Sequence, residues 1–262
     1  MRPKISVSNL VLRYAGAAMD ANGDALALQN VEFQVGEGEV VALIGPSGCG
    51  KSTLLKLVSG LIKPTAGGIE VDGARVERVP RGIGFMFQSD ALLPWKTAQQ
   101  NVAIGGMLAG LPAVRAHDLA RSLLEDLGLG QALHKYPSEL SGGMRKRVAL
   151  ARTLAYQPTL FLLDEPFAAL DAQTRITVGN RFLRVFEDLR RSMILVTHDI
   201  DEAIAMADRV LVMTAAPGRI AATFEVGLPR PRDYYGSRFL PRFHELQQEI
   251  WNVLRRQLEQ AA

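Results

Sequence analysis

The 262-residue chain carries one cysteine, which excludes an internal disulfide and suits a reducing compartment. No apolar run approaches the roughly 20 residues needed to cross a bilayer. The first residues, Met1-Arg2-Pro3-Lys4-Ile5, lead into alternating polar and apolar positions rather than a signal-peptide core. The chain is therefore expected to stay where it is made, with any membrane role supplied by a partner. Strong charge bias is missing too: the net charge is +3, the isoelectric point is near 9.1, and the basic residues are dispersed, so nucleic acid is not an expected partner. Internal repeats and low-complexity tracts are absent. What remains is an ordinary globular composition, 48% hydrophobic and 22% charged, long enough for one large α/β domain or a domain with a small appendage.

One stretch organises the rest: Gly45-Pro46-Ser47-Gly48-Cys49-Gly50-Lys51-Ser52-Thr53. It follows the apolar run 40–44, which reads as a buried strand, and precedes Leu54-Leu55-Lys56-Leu57-Val58, which reads as the start of a helix. Strand, glycine-rich loop and helix are the context that makes G-x-x-x-x-G-K-[ST] a phosphate-binding loop. The glycines let backbone N–H groups converge on an anion, and the following helix adds its free N–H groups and dipole. Lys51 is suited to the β- and γ-phosphates, and the Ser52 hydroxyl to Mg²⁺. A nucleoside triphosphate is the expected ligand. Cys49 lies inside this loop at a helix start. It reads as a small residue that fits a tight turn, the sharper reading being that alkylation there blocks nucleotide binding.

Along the chain, residues 4–14 read as a strand, 15–25 as a hairpin loop, 28–35 as a second strand and 36–39 as a tight turn. Residues 63–68 break the chain, and 69–72 and 83–88 read as short strands. Residues 101–133 have a helical pattern and look like an insertion. Residues 141–156 read as a helix with a glycine-rich start. The runs 159–164 and 193–197 are apolar enough for a buried parallel sheet, and 210–214 is a further strand. Pro229-Arg230-Pro231-Arg232-Asp233 marks a boundary before a basic amphipathic helix.

Two further signals narrow the class. The strand Leu160-Phe161-Leu162-Leu163 delivers Asp164 and Glu165 at its C-terminal end. In a phosphate-loop enzyme the first acid holds Mg²⁺, and the second is placed to deprotonate the attacking water. Leu140-Ser141-Gly142-Gly143 opens a helix, which makes a second anion-binding N-terminus. One nucleotide has no obvious need for two such sites in one protomer. A head-to-tail dimer does, each helix start closing on the γ-phosphate held by the other subunit.

From about residue 4 to 230 the sequence resembles the ATP-binding subunits of ABC transporters. Gly45 to Thr53 matches the Walker A motif, Leu160 to Glu165 matches Walker B, and Leu140 to Gly143 matches the signature motif, with Met144 where the family usually has glutamine. Gln88 matches the Q-loop, Ala169-Leu170-Asp171 the D-loop, His198 the switch histidine, and Tyr14 the aromatic that stacks on adenine. The resemblance implies a phosphate-loop α/β fold with an antiparallel β subdomain and a helical subdomain at about residues 90–156, spanning 1–230, with 231–262 as a C-terminal helical tail. It implies Glu165, His198 and Gln88 as catalytic, and Tyr14, residues 45–53, Ser141, Gly142, Gly143 and Asp171 as nucleotide-binding. Ser52, Gln88 and Asp164 are the implied Mg²⁺ site.

Leu92-Leu93-Pro94-Trp95-Lys96-Thr97 after Gln88, and Ala216-Pro217-Gly218-Arg219-Ile220 near the end, look like the nitrate/sulfonate/taurine class of importer ATPases. That likeness implies a homodimer on the cytoplasmic face of the cell membrane. It would drive permease subunits that receive a small anion from a solute-binding protein. Leu92, Leu93 and Trp95 are expected to line the groove for a permease helix. A stripe of Phe239, Phe243, Leu246, Ile250, Val253 and Leu254 is expected to pack the tail on its own domain. The alternatives are an exporter or lipid-transfer ATPase, and an ABC ATPase without a membrane partner.

Overall fold

The computed structural model describes residues 2–15 and 24–259. In chain order the elements are β1 (Ile5–Ala15), β2 (Asp24–Val35), β3 (Val40–Ile44), α1 (Lys51–Val58), β4 (Ala66–Val71), β5 (Ala74–Arg75) and β6 (Ile83–Met86). Then come α2 (Ala98–Leu108), α3 (Ala113–Asp126), α4 (Gly142–Ala155), β7 (Leu160–Asp164), α5 (Ala172–Leu189), β8 (Ser192–Val196), α6 (Ile200–Met206), β9 (Arg209–Met213), β10 (Ile220–Glu225) and α7 (Pro241–Glu259). They divide into two compact units, Met1–Arg81 with Ser192–Ala262, and Gly82–Arg191.

In the first unit, β2, β1, β4 and β5 form an antiparallel sheet. β1 and β2 pair up to Ala15 and Asp24; most of the expected hairpin loop at 15–25 lies outside the described residues. A second group of strands runs β10-β9-β3-β8, with β3 parallel to both neighbours and β10 antiparallel to β9. Every residue of β3 and β8 is buried, as the unbroken apolar runs require of parallel strands covered on both faces. α1 packs on β8 and β4, and buries Leu54, Leu55, Leu57 and Val58.

The proline-arginine stretch after β10 is a strap rather than a loose boundary. Arg230 and Arg232 reach Asp208 at 2.8 and 2.9 Å, and the Asp208 carboxylate accepts the N–H of Val40 at the start of β3 (2.9 Å). α7 then lies against α6, β9 and β10, and buries Phe243, Leu246, Ile250 and Leu254. Phe239 departs from the expected stripe: it falls in a 3-10 turn before α7 and is 71% exposed, because the helical phase begins only at Pro241.

In the second unit, β6 and β7 pair in parallel from Ile83–Leu160 to Met86–Leu163. Phe161 of β7 packs edge-on against Phe186 of α5 at 5.4 Å, and Phe167 meets Phe182 of α5 at 5.8 Å. These contacts fix the turn that leaves β7. α2, α3 and α4 pack on one another. α2 starts with a capping box between Thr97 and Gln100. The fully buried Asn101 accepts from Leu93 N–H (2.8 Å) and donates to the carbonyls of Leu93, Lys96 and Thr97, which folds the loop 93–97 back on the helix start.

Candidate active site

The phosphate loop joins β3 to α1 in the first unit. Gly50, the residue before α1, has φ 97°, and a Cβ there would stand 2.6 Å from Leu28 Cδ2. Both the left-handed backbone and the close approach of β2 therefore select glycine. Lys51 is nearly buried, and its Nζ donates to the carbonyls of Gly45 and Pro46, each at 2.8 Å. Cys49 is fully buried with Sγ 3.6 Å from Lys51 Nζ, which favours its role as a small loop residue over that of a reactive surface thiol. Gly218, from the Ala216–Ile220 stretch, exchanges 2.9 Å hydrogen bonds with Ala27 and Gln29. A Cβ on it would fall 2.1 Å from the Cys49 carbonyl. The turn therefore backs the phosphate loop, a contact the sequence signals only through the glycine after Pro217.

Two other predicted residues belong to this unit. Tyr14 lies one residue before the end of β1 and is 43% exposed. His198 stands exposed in the sharp turn between β8 and α6. That turn is held by Thr197 Oγ1, which accepts the Asp199 N–H, and by Asp199, which caps α6 by accepting the Glu202 N–H, both at 3.1 Å.

The second unit carries the acids. Asp164 ends β7 and is 3% exposed, whereas Glu165, the next residue, is half-buried. Glu165 has φ 51°, a left-handed conformation that costs a non-glycine residue about 1–3 kcal/mol and concentrates at functional sites. Its Oε2 accepts a 3.3 Å hydrogen bond from Gln88 Nε2. Q-loop glutamine and Walker B glutamate, far apart in sequence, are thus neighbours.

α4 begins with the glycines of the signature stretch. Ser141 is its N-cap, accepting the Met144 N–H at 3.3 Å, so Gly142 and Gly143 present the first backbone N–H groups of the helix. A Cβ on Gly143 would sit 2.9 Å from the Ala169 carbonyl, so the signature and the D-loop abut at a point that admits no side chain. Asp171 caps α5 by accepting the Thr174 N–H at 2.9 Å. The hydrogen bonds from Thr174 hold its carboxyl below the ordinary carboxylate range. Burial lowers the pKa of Arg147 on α4, the charge of Asp171 raises it, and that of Arg181 lowers it further.

The predicted metal donors are a hydroxyl (Ser52), a carboxylate (Asp164) and a side-chain amide oxygen (Gln88). All three are hard oxygen donors of the kind Mg²⁺ takes. The apolar cleft beside the Q-loop has a volume near 340 Å³ and is lined by Ile83, Phe85, Ile104, Leu108 and Tyr156, with Arg152 at its side. Leu92, Leu93 and Trp95 do not line it: Asn101 holds the loop at 93–97, and Trp95 is 69% exposed.

Residues 28–168 match the ABC transporter family. The chain is 40% identical over 266 residues to the nitrate transport protein NasD of Klebsiella oxytoca, covering 100% of both chains. It is 41% identical over 256 residues to an ABC transporter ATP-binding protein of Methanocaldococcus jannaschii, covering 97% of this chain and 92% of that one. It is also 40% identical over 242 residues to the nitrate import ATP-binding protein NrtC of Synechococcus elongatus, covering 91% of this chain but 37% of that one. Among solved structures, the ATP-binding cassette MJ0796 in a dimeric post-hydrolysis state, bound to ADP and Pi, superposes with a TM-score of 0.76 at 29% identity. That match covers 86% of this chain and 100% of the cassette.

Proposed function

The chain belongs to the ABC transporter family as an ATP-binding, ATP-hydrolysing subunit, and on that premise we propose that it powers import of a small anion through permease subunits. The observation that carries the catalytic part is Glu165, held at φ 51° after β7 with Gln88 bonded to its carboxylate. In this reading residues 45–53 cradle the phosphates, Lys51 exchanges its loop carbonyls for the β- and γ-phosphates, and Tyr14 stacks on the base. Glu165 takes the proton of the attacking water, and Gln88 and His198 complete the γ-phosphate site. Ser52, Asp164 and Gln88 would hold Mg²⁺, which would supply charge neutralisation on the phosphates.

Residues 1–230 act as the cassette, 90–156 as its helical subdomain and 231–262 as a tail. Two copies sandwich two ATP molecules. Ser141, Gly142 and Gly143 of each cap the γ-phosphate of the other, and Asp171 lies at the seam. ATP closes the dimer, and hydrolysis with phosphate release opens it. Among the described residues no helix is long and apolar enough to cross a membrane. In this reading permease subunits form the path for the solute. The similarity to nitrate transport proteins supports an anion as the solute, delivered by a binding protein to a complex whose ATPase sits on the cytoplasmic face.

The experiment that tests the transport part is purification of the tagged chain from detergent-solubilised membranes. A multispanning permease is expected to accompany it. Recovery of the chain alone, or with soluble proteins only, would count against transport.

A further inference from the structure

Every basic side chain that α4 directs at the Q-loop lands on one short segment, residues 87–91. Arg145 Nε pairs with Asp90 Oδ2 at 3.1 Å while its Nη1 donates to the Leu140 carbonyl at 2.7 Å, directly before the signature serine. Lys146 is 6% exposed; its Nζ donates to the carbonyls of Phe87 (3.4 Å) and Gln88, and stands 3.7 Å from Asp90 Oδ1. One turn and a half further on, Arg152 donates to the carbonyls of Ala91 (2.8 Å) and Asp90 (3.2 Å). Burial lowers the pKa of the Arg152 guanidinium.

We infer that Lys146 is a positioning residue for catalysis, a buried cation that latches the Gln88 backbone to the signature helix and so sets where the Gln88 amide meets Glu165. The chemistry is specific to a cation in that place. A buried ammonium needs acceptors and a counter-charge, and here the acceptors are the main-chain oxygens of Phe87 and Gln88, with the Asp90 carboxylate as ion-pair partner at 3.7 Å. The Gln88 carbonyl is held by Lys146 and its side chain bonds Glu165, so both ends of this residue are fixed. Arg145 and Arg152 brace the flanking residues but do not bond Gln88 itself. Sequence alone does not reveal the latch, because a lysine in an Arg145-Lys146-Arg147 run reads as a solvated face.

The inference rests on the role proposed above for Gln88, and a double-mutant cycle separates the two. Steady-state ATPase rates and thermal melts are compared for wild type, Lys146→Met, Gln88→Ala and the double variant. Misplacement of a catalytic group by a fraction of an ångström to 1 Å costs up to about a hundredfold, so Lys146→Met is expected to lower kcat about tenfold. KM for ATP should move less than about threefold, because the phosphate loop is untouched, and the half-saturating Mg²⁺ concentration should rise. In the Gln88→Ala background the same substitution is expected to change kcat less than about twofold. An equal loss in both backgrounds, or no loss in either, overturns the latch. If Gln88→Ala itself turns over at the wild-type rate, the proposed role of Gln88 fails instead. Should Lys146→Met not fold, Lys146→Gln takes its place in the cycle. Gln keeps a donor without the charge, and a tenfold loss that vanishes beside Gln88→Ala remains the expected result.

Discussion

Gln88 and Glu165 meet at 3.3 Å, amide to carboxylate, although they sit on the loops that follow two different parallel strands, β6 and β7. The pairing places a neutral donor on the group proposed to take the water proton, and it follows from strand register: Met86 and Leu163 are partners, so the residues just beyond each strand emerge side by side. Glu165→Gln keeps the shape of that contact and removes the base. It is expected to lower kcat by about 10²–10⁴ while ATP affinity is retained, as measured by steady-state turnover and equilibrium nucleotide binding.

The backbone at Glu165 stores strain that a glycine would release. With φ at 51°, Glu165→Gly is expected to be about 1 kcal/mol more stable than Glu165→Ala, both variants lacking the bond to Gln88. Denaturant melts of the two inactive proteins measure this directly. An alanine variant as stable as the glycine variant would mean that the strain is absorbed elsewhere.

Gly143 is expected to be intolerant for a different reason. Its backbone is helical, yet a methyl group there meets the Ala169 carbonyl at 2.9 Å. Gly143→Ala should cost about 1–3 kcal/mol of stability as the D-loop or the helix start gives way. ATPase activity should fall further than nucleotide binding, since the phosphate loop lies elsewhere in the chain. Parallel thermal melts, turnover and binding assays distinguish these effects.

The helix cap at Asp171 gives a pH signature. Its folded pKa is depressed by the hydrogen bonds from Thr174, so its contribution is fully present above the unfolded value of about 3.9 and is lost as pH falls through the lowered folded value. Asp171→Ala is expected to melt below wild type near neutral pH, with the gap narrowing in acid below about pH 3.9. Melting temperatures measured across pH test it; a gap that stays constant with pH would contradict the assignment.

What the sequence makes legible follows from how local each feature is. The phosphate loop is spelled out by consecutive residues between a buried strand and a helix, and β3, α1 and the Ser141 cap appear as their residue types require. α5 is harder to read, because Thr174, Ile176, Thr177, Val178 and Gly179 weaken its helix propensity, and packing of Phe182 and Phe186 against Phe167 and Phe161 helps hold it in place beside the Asp171 cap. β10 is an exposed-and-half-buried ribbon with two alanines, so its alternation is faint until β9 supplies the partner. The contacts around Gly218, Lys146 and Gln88 were never in the sequence as patterns, since each joins segments brought together only by strand pairing and helix packing.

The measurement that bears most directly on the account is the solution mass of Glu165→Gln by light scattering, with and without ATP. The sandwich mechanism predicts a monomer without nucleotide and a stable dimer with ATP, each γ-phosphate held between residues 45–53 of one copy and the Ser141 helix start of the other. A variant that binds ATP tightly yet remains monomeric at every concentration would contradict it.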